Sequence, residues 1–124
     1  MDDSIRRALA KGLTCDITTI GRVSGSPRRI EIWYLLIEER IYITGTPGRR
    51  DWYANLLAQP RFTFHVKEGA RADLPARAIP ITDPAERRRI IGEVMRSNSW
   101  FRSQSFDIDA WVAGSPLVAV EFLS

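Results

Sequence analysis

The sequence predicts a small, mainly antiparallel β-barrel with a few short helices. Two observations carry this. Six segments rich in β-branched and aromatic residues are bounded by Gly, Pro, Asn or Asp, whereas only three short stretches carry a helical period. A chain of 124 residues with 44% hydrophobic content also suffices for one domain, residues 1–124, that buries a core without disulfides or metal.

The elements follow in order. Ser4 caps a short helix with Ile5, Ala8 and Leu9 on one face and Gly12 beyond its end. Residues 14–20, TCDITTI, read as a strand, and a turn, GRVSGSPRR, follows at 21–29. Residues 30–37, IEIWYLLI, form a second strand that is apolar on both faces apart from Glu31. Such a strand needs cover on both sides, with a second subunit as one source. Glu38-Glu39-Arg40 make a hairpin turn and residues 41–44 the return strand. Trp52, Tyr53, Leu56 and Leu57 then mark a helix face that Pro60 stops. In the strand 61–66, alternation puts Phe62, Phe64 and Val66 inward and Arg61, Thr63 and His65 outward. Residues 70–81 form a longer strand, which Pro75 and Pro80 keep at an edge or bulged. Asp83-Pro84-Ala85-Glu86 is a helix start. Ile90, Ile91, Val94 and Met95 form the buried face of that helix, and Arg87, Arg88 and Arg89 lie mostly on its solvated side. Residues 96–116, with Trp100, Phe101, Phe106 and Trp111, read as irregular, and residues 117–123 as the sixth strand.

Composition bounds the setting. Cys15 is alone, which excludes an internal disulfide and a cysteine metal site and points to a reduced, cytoplasmic compartment. No apolar run reaches the length of a membrane span, and the first residues lack the pattern of a secretory signal. The net charge is +3. Only Lys11 and Lys67 are lysine among eighteen cationic residues, so arginine, with its planar fork for phosphate and carboxylate, supplies the rest. A codon preference is one explanation of the number of arginines, but it does not explain where they cluster.

No catalytic set is visible: there is no hydrolase signature, no HExxH, no GxGxxG after a strand and no Walker motif. The single His65 reads as a surface or packing residue, and Asp107 and Asp109 as capping or solvated groups. What remains is a binding site whose chemistry comes from a cofactor. GRVSGSPRR can offer backbone N–H groups, hydroxyls and guanidinium forks to an anion. TGTPGRRDWYANL, residues 44–56, can bring a Gly-rich backbone against a flat ring with a helix N-terminus behind it. Arg49 and Arg50 add charge there, and the Asn55 amide lies within reach of a ligand edge. Trp52 and Asn55 equally suit packing and solvent positions.

TTIGRVSGSPRRIEIWYL followed by ITGTPGRRDWYANLLAQPRFTFHV resembles the deazaflavin-dependent nitroreductase family, over residues 14–67. The resemblance implies a six-stranded split β-barrel, related to pyridoxamine phosphate oxidase, that binds coenzyme F420. By position, Arg22, Ser24, Gly25 and Arg28 match the turn that holds the cofactor's phosphate and polyglutamate tail. Gly45, Thr46 and Gly48 match the backbone facing the ring, and Trp52 and Asn55 the helix beside it; Arg50 adds charge at the same loop. Val23 stands where members often carry a basic residue, and Pro47 where some carry Lys. Flavin mononucleotide or haem is therefore the alternative ligand, and a non-catalytic carrier the alternative function. The long N-terminal extension of some members is absent, so no further lid or membrane-associated segment is expected. The implied activity is hydride transfer from reduced deazaflavin to an electron-poor small molecule such as an activated alkene, a quinone or a nitroaromatic. A homodimer is the expected assembly. A nucleic-acid partner is not expected, since no reading motif accompanies the basic charge.

Overall fold

In the computed structural model, which describes residues 1–104 and 107–123, one antiparallel sheet curls into a half-barrel. The elements are α1 (Asp3–Lys11), β1 (Thr14–Ile20), β2 (Pro27–Trp33), β3 (Leu35–Ile37), β4 (Arg40–Thr44), α2 (Asp51–Ala58), β5 (Arg61–Val66), β6 (Ala72–Pro80), α3 (Pro84–Ser97), α4 (Ser99–Arg102), α5 (Ile108–Gly114) and β7 (Leu117–Phe122). The strand order is β2-β1-β5-β6-β7-β4-β3. The mainly β class holds, with seven strands rather than six.

The extra strand arises at Tyr34, which divides the expected strand 30–37. Its N–H turns to the Leu13 carbonyl and its hydroxyl donates to the Leu9 carbonyl at 2.9 Å, so the residue faces α1 and leaves the ladder. The expected burial of this segment on both faces is also overturned. Every residue of β2 is exposed except the half-buried Ile32, because β2 is an edge strand with no covering layer. The strands covered on both faces are β4 and β7. Ile41, Ile43, Val118 and Val120 point into a core with Ile17, Leu56 and Phe64. Tyr42, Leu117 and Ala119 point into a second core under Ile90, Ile91, Val94 and Trp111 of α3 and α5.

Several local expectations change. Asp2, not Ser4, caps α1, accepting from the Ser4 and Ile5 amides. Leu57 is exposed, and Asn55 takes the inward place on α2 beside Trp52 and Leu56. Strand β6 is interior, between β5 and β7. Pro75 is accommodated because its carbonyl points to β7, accepting from Leu123, so its missing N–H removes no bond to β5. His65 is buried on the outer sheet face, held between the Thr18 hydroxyl and the Asp73 carboxylate at 2.7 Å each. Arg87 is buried rather than solvated, donating to three carbonyls. The segment 96–116 is largely helical: Asn98 caps α4 and Asp107 caps α5. Phe106 lies outside the described residues.

Candidate functional site

Two open grooves meet at Trp52. The first, of about 540 Å³, lies between the 21–28 turn, the inner side of β2 and the start of α2. The second, of about 360 Å³, lies between the end of β2, the loop after β4 and α4. Trp52 lines both. Its ring is nearly buried in the main core and meets Tyr53 edge-on at 5.8 Å.

The turn is built by its own backbone. Gly21 donates to the Ser26 carbonyl and Gly25 to the Gly21 carbonyl, both at 2.8 Å, and Ser24 Oγ accepts from the Ser26 amide. A Cβ at Gly21 would stand 2.6 Å from Ser24 Oγ, so a larger residue there would push that hydroxyl off the Ser26 amide. Asn55 then fastens the turn to α2. Its Oδ1 accepts from the Arg22 backbone N–H at 3.1 Å and from the Arg22 guanidinium at 2.9 Å, while its Nδ2 donates to Thr19 Oγ1. Arg22 also reaches Asp51 at 3.2 Å. The Asn55 amide is thus spent inside the chain, and Arg22 is half-neutralised. Arg28 lines the same groove and, among the described residues, its guanidinium makes no hydrogen bond or ion pair. Among the described residues it is the free cation of the turn.

The second loop is closed by Arg50. One terminal nitrogen donates to the Thr46 carbonyl at 3.1 Å and to Thr46 Oγ1 at 2.7 Å, the other to the Arg49 carbonyl at 3.0 Å. No carboxylate neutralises it among the described residues. Gly48 has φ 134°, a region that strains any other residue, and its N–H donates to the Gly114 carbonyl. Arg22, Arg49 and Arg50 with Tyr53 line a third, basic trough that continues from these loops.

The structure therefore brings Arg22, Ser24, Arg28, Trp52 and Asn55 to one groove and Gly45, Thr46, Arg50 and Trp52 to the next. Gly25 and Gly48 line neither; they shape the loops, both at positive φ. Sequence reasoning missed Ile30 in the first groove, and Trp33 and Trp100 in the second. The alternation Arg28-Ile30-Ile32 on β2 was an available signal for the inner face. Nothing local marks the approach of Trp33 and Trp100, whose rings lie 6.2 Å apart. Among the described residues no group of His, Cys, Asp and Glu is placed to hold a metal ion.

Two carboxylates outside the grooves serve structure. Asp16 is held below the usual carboxylate range by Lys67 and then Arg29, and Asp73 by its bond to His65. Burial pushes the Cys15 thiol up to about 12, which leaves it a packing group rather than a nucleophile.

A family profile described as F420H(2)-dependent quinone reductase matches residues 4–109. No curated protein matches the chain. Among solved structures, the chain resembles an F420 reductase (17% identity, 100% of this chain and 97% of that chain covered, TM-score 0.67). It also resembles the conserved hypothetical protein Rv2991 from Mycobacterium tuberculosis (19% identity, 100% and 81% covered, TM-score 0.69). A third likeness is to a protein from Listeria innocua provisionally named a pyridoxamine 5′-phosphate oxidase (12% identity, 98% and 93% covered, TM-score 0.71).

Proposed function

The chain belongs to the F420H(2)-dependent quinone reductase family and is an F420-dependent oxidoreductase, and we propose that it reduces an electron-poor small molecule (a quinone, nitroaromatic or activated alkene) bound in the second groove. The observation that carries this reading is the aromatic wall of that groove. Trp33, Trp100 and Phe101 stand opposite the Gly45–Thr46 backbone, with Trp52 between the two grooves. Flat, electron-poor rings stack well on such surfaces. The family takes precedence over the flavin, haem and carrier alternatives that the sequence leaves open.

The residues present suit this cofactor. Arg28 offers an unspent fork to an anion, and the trough of Arg22, Arg49 and Arg50 extends the positive surface as a polyanionic tail requires. Trp52, held rigid in the core, fits beside a flat ring. Of the ten residues expected at the site, Arg28 and Trp52 present side chains, Gly45 and Thr46 present backbone, and Asn55, Arg22, Arg50, Ser24, Gly25 and Gly48 hold the shape. Reduced F420 supplies a hydride from ring carbon 5. The protein orients the two reactants. Tyr53 faces the basic trough rather than the aromatic groove, so we assign the accompanying proton to solvent.

Mixing the protein with reduced F420 and each acceptor class in turn tests the proposal. Trp100→Ala should raise KM for a ring-bearing acceptor while leaving F420 affinity unchanged; equal KM values would remove the acceptor from this groove. F420 should also bind more tightly than flavin mononucleotide, whose single phosphate lacks the tail carboxylates.

We further propose a homodimer in a reducing compartment. Trp33, Leu36 and Trp100 are each more than two-fifths exposed, an apolar surface that a second copy would cover. Light scattering of the purified protein decides this. No helix among the described residues is long and apolar enough to cross a membrane.

A further inference from the structure

Arg87 takes no part in the reading above, yet it is buried in the first turn of α3. Its guanidinium spans three segments. Nε donates to the Val112 carbonyl at 2.7 Å, and the terminal nitrogens donate to the Ile81 carbonyl at 2.7 Å and the Ser115 carbonyl at 2.5 Å. All three acceptors are neutral. A charge removed from water in this way is costly unless hydrogen bonds replace the solvent. Val112 and Ser115 lie at the C-terminal end of α5, where the last carbonyls lack helical partners and the helix dipole favours a cation. The arginine thus fixes the turn from α5 into β7.

That turn is the wall on which the 44–48 loop rests. The Gly114 carbonyl accepts from the Gly48 N–H at 3.1 Å, and the Pro116 carbonyl accepts from Thr44 Oγ1 at 2.6 Å. Gly114 also packs against Pro47, closely enough that a Cβ there would stand 3.3 Å from the proline ring. Ser115, between these two struts, is the residue Arg87 grips. Three consecutive carbonyls therefore join α3 on one side to the loop carrying Gly45 and Thr46 on the other. We infer that Arg87 is a positioning residue for the cofactor loop: it acts through the 112–116 turn to hold the 44–48 backbone in its binding shape. A hydrocarbon side chain would fill the space but offer no donors, and lysine would offer a point charge instead of a fork. The inference rests on placing the cofactor against this loop.

The test compares Arg87→Lys with Ile91→Val, a fully buried change on the same helix whose side chain offers the turn no hydrogen bond. Two quantities are read on folded protein: amide hydrogen exchange of residues 44–48 without cofactor, and F420 affinity by tryptophan fluorescence. Arg87→Lys should speed exchange in the loop and weaken F420 binding about tenfold, the scale of one lost hydrogen bond to a charged group. Ile91→Val should lower the thermal midpoint and leave both quantities unchanged. Unaltered loop exchange in Arg87→Lys overturns the positioning role. Faster exchange with unaltered F420 affinity keeps that role and instead removes the cofactor from the loop. Should Arg87→Lys fail to fold, native-state exchange of the wild-type protein decides. The Gly48 and Ser115 amides should open together as one unit, and independent opening refutes the coupling.

Discussion

Arg22 and Arg28 share one turn and one formal charge, but the chain uses them differently. Arg22 is drawn onto Asn55 and Asp51, whereas Arg28 is left facing the groove without a partner among the described residues. Arg88, by contrast, pairs with Asp109 on the open surface, where both side chains are more than half exposed. Such a pair contributes about 0–1 kcal/mol at most. We predict that Arg28→Ala weakens F420 binding about ten- to a hundred-fold, corresponding to roughly 1.5–3 kcal/mol for a charge-assisted hydrogen bond. Folding should be little affected, since the turn is closed by backbone bonds of Gly21 and Gly25. Arg88→Ala should change neither, and the Arg28 effect should shrink in high salt. Titration of both variants at two ionic strengths is the measurement; equal affinities would make the turn's charge mere surface charge. The motif made Arg22 and Arg28 look equivalent. Their difference depends on Asn55, which is thirty-three residues from Arg22 in sequence.

At the scale of elements, the hairpin between β3 and β4 carries an avoidable strain. Glu38 and Glu39 have φ 52° and 66°, the left-handed region at both central positions. Two-residue hairpins need this geometry to match strand twist, and Asn-Gly normally supplies it. Glu38 recovers something by pairing with Arg89, while no bond involves the Glu39 side chain among the described residues. Glu39→Gly should therefore stabilise the fold by about 0.5–1 kcal/mol, the relief of left-handed strain less the added chain entropy. A higher urea midpoint at unchanged slope is the expected result; a lower midpoint would show that the turn is not strained. β1 was legible from its β-branched residues, and the hairpin from the polar break of residues 38–40 between two apolar runs. Which apolar strand is covered was not. The run 30–37 and the run 117–122 look alike in composition, yet β2 is an edge and β7 lies between two cores. The covering helices α4 and α5 were illegible because their apolar positions are short runs that become helical only on packing against α3.

For the whole molecule, stability depends on pH from both ends. Asp16, Asp73 and Glu68 are held below their ordinary values, Asp16 chiefly by Lys67, Asp73 by His65 and Glu68 by Thr14. A carboxyl with a depressed folded-state value binds fewer protons folded than unfolded. Its contribution is therefore present above the unfolded carboxylate range and is lost as pH falls through the folded value. At the alkaline end, burial raises Cys15 from 9.0 and Tyr34 from 10.0, each to about 12. There the unfolded chain releases its protons first, so stability falls as pH rises from about 9 towards 12. The expected profile of urea midpoint against pH is a plateau flanked by two declines. Cys15→Ala should soften the alkaline decline, at the cost of a small cavity. Glu68→Gln should lower the plateau and soften the acid decline. A steep alkaline decline unchanged in Cys15→Ala would assign it to Tyr34 instead.

The sequence by itself determined the mainly antiparallel β class, most element positions and the two loops that flank Trp52. It did so because turn chemistry, capping and two-residue alternation act over a few neighbours, and because the spacing of two motifs carried the family resemblance. Tertiary structure alone decided that the strand 30–37 breaks at Tyr34, that β2 lies open at an edge, and that Trp33 and Trp100 meet at the second groove. It also decided which arginine faces the groove and which is spent. Among the described residues Arg28 is left without a partner, while Asn55 and Asp51 go to Arg22. Arg87 is buried because three carbonyls from distant segments converge on it. A side chain's charge is written at its own position, but its partners arrive from positions brought near only by folding.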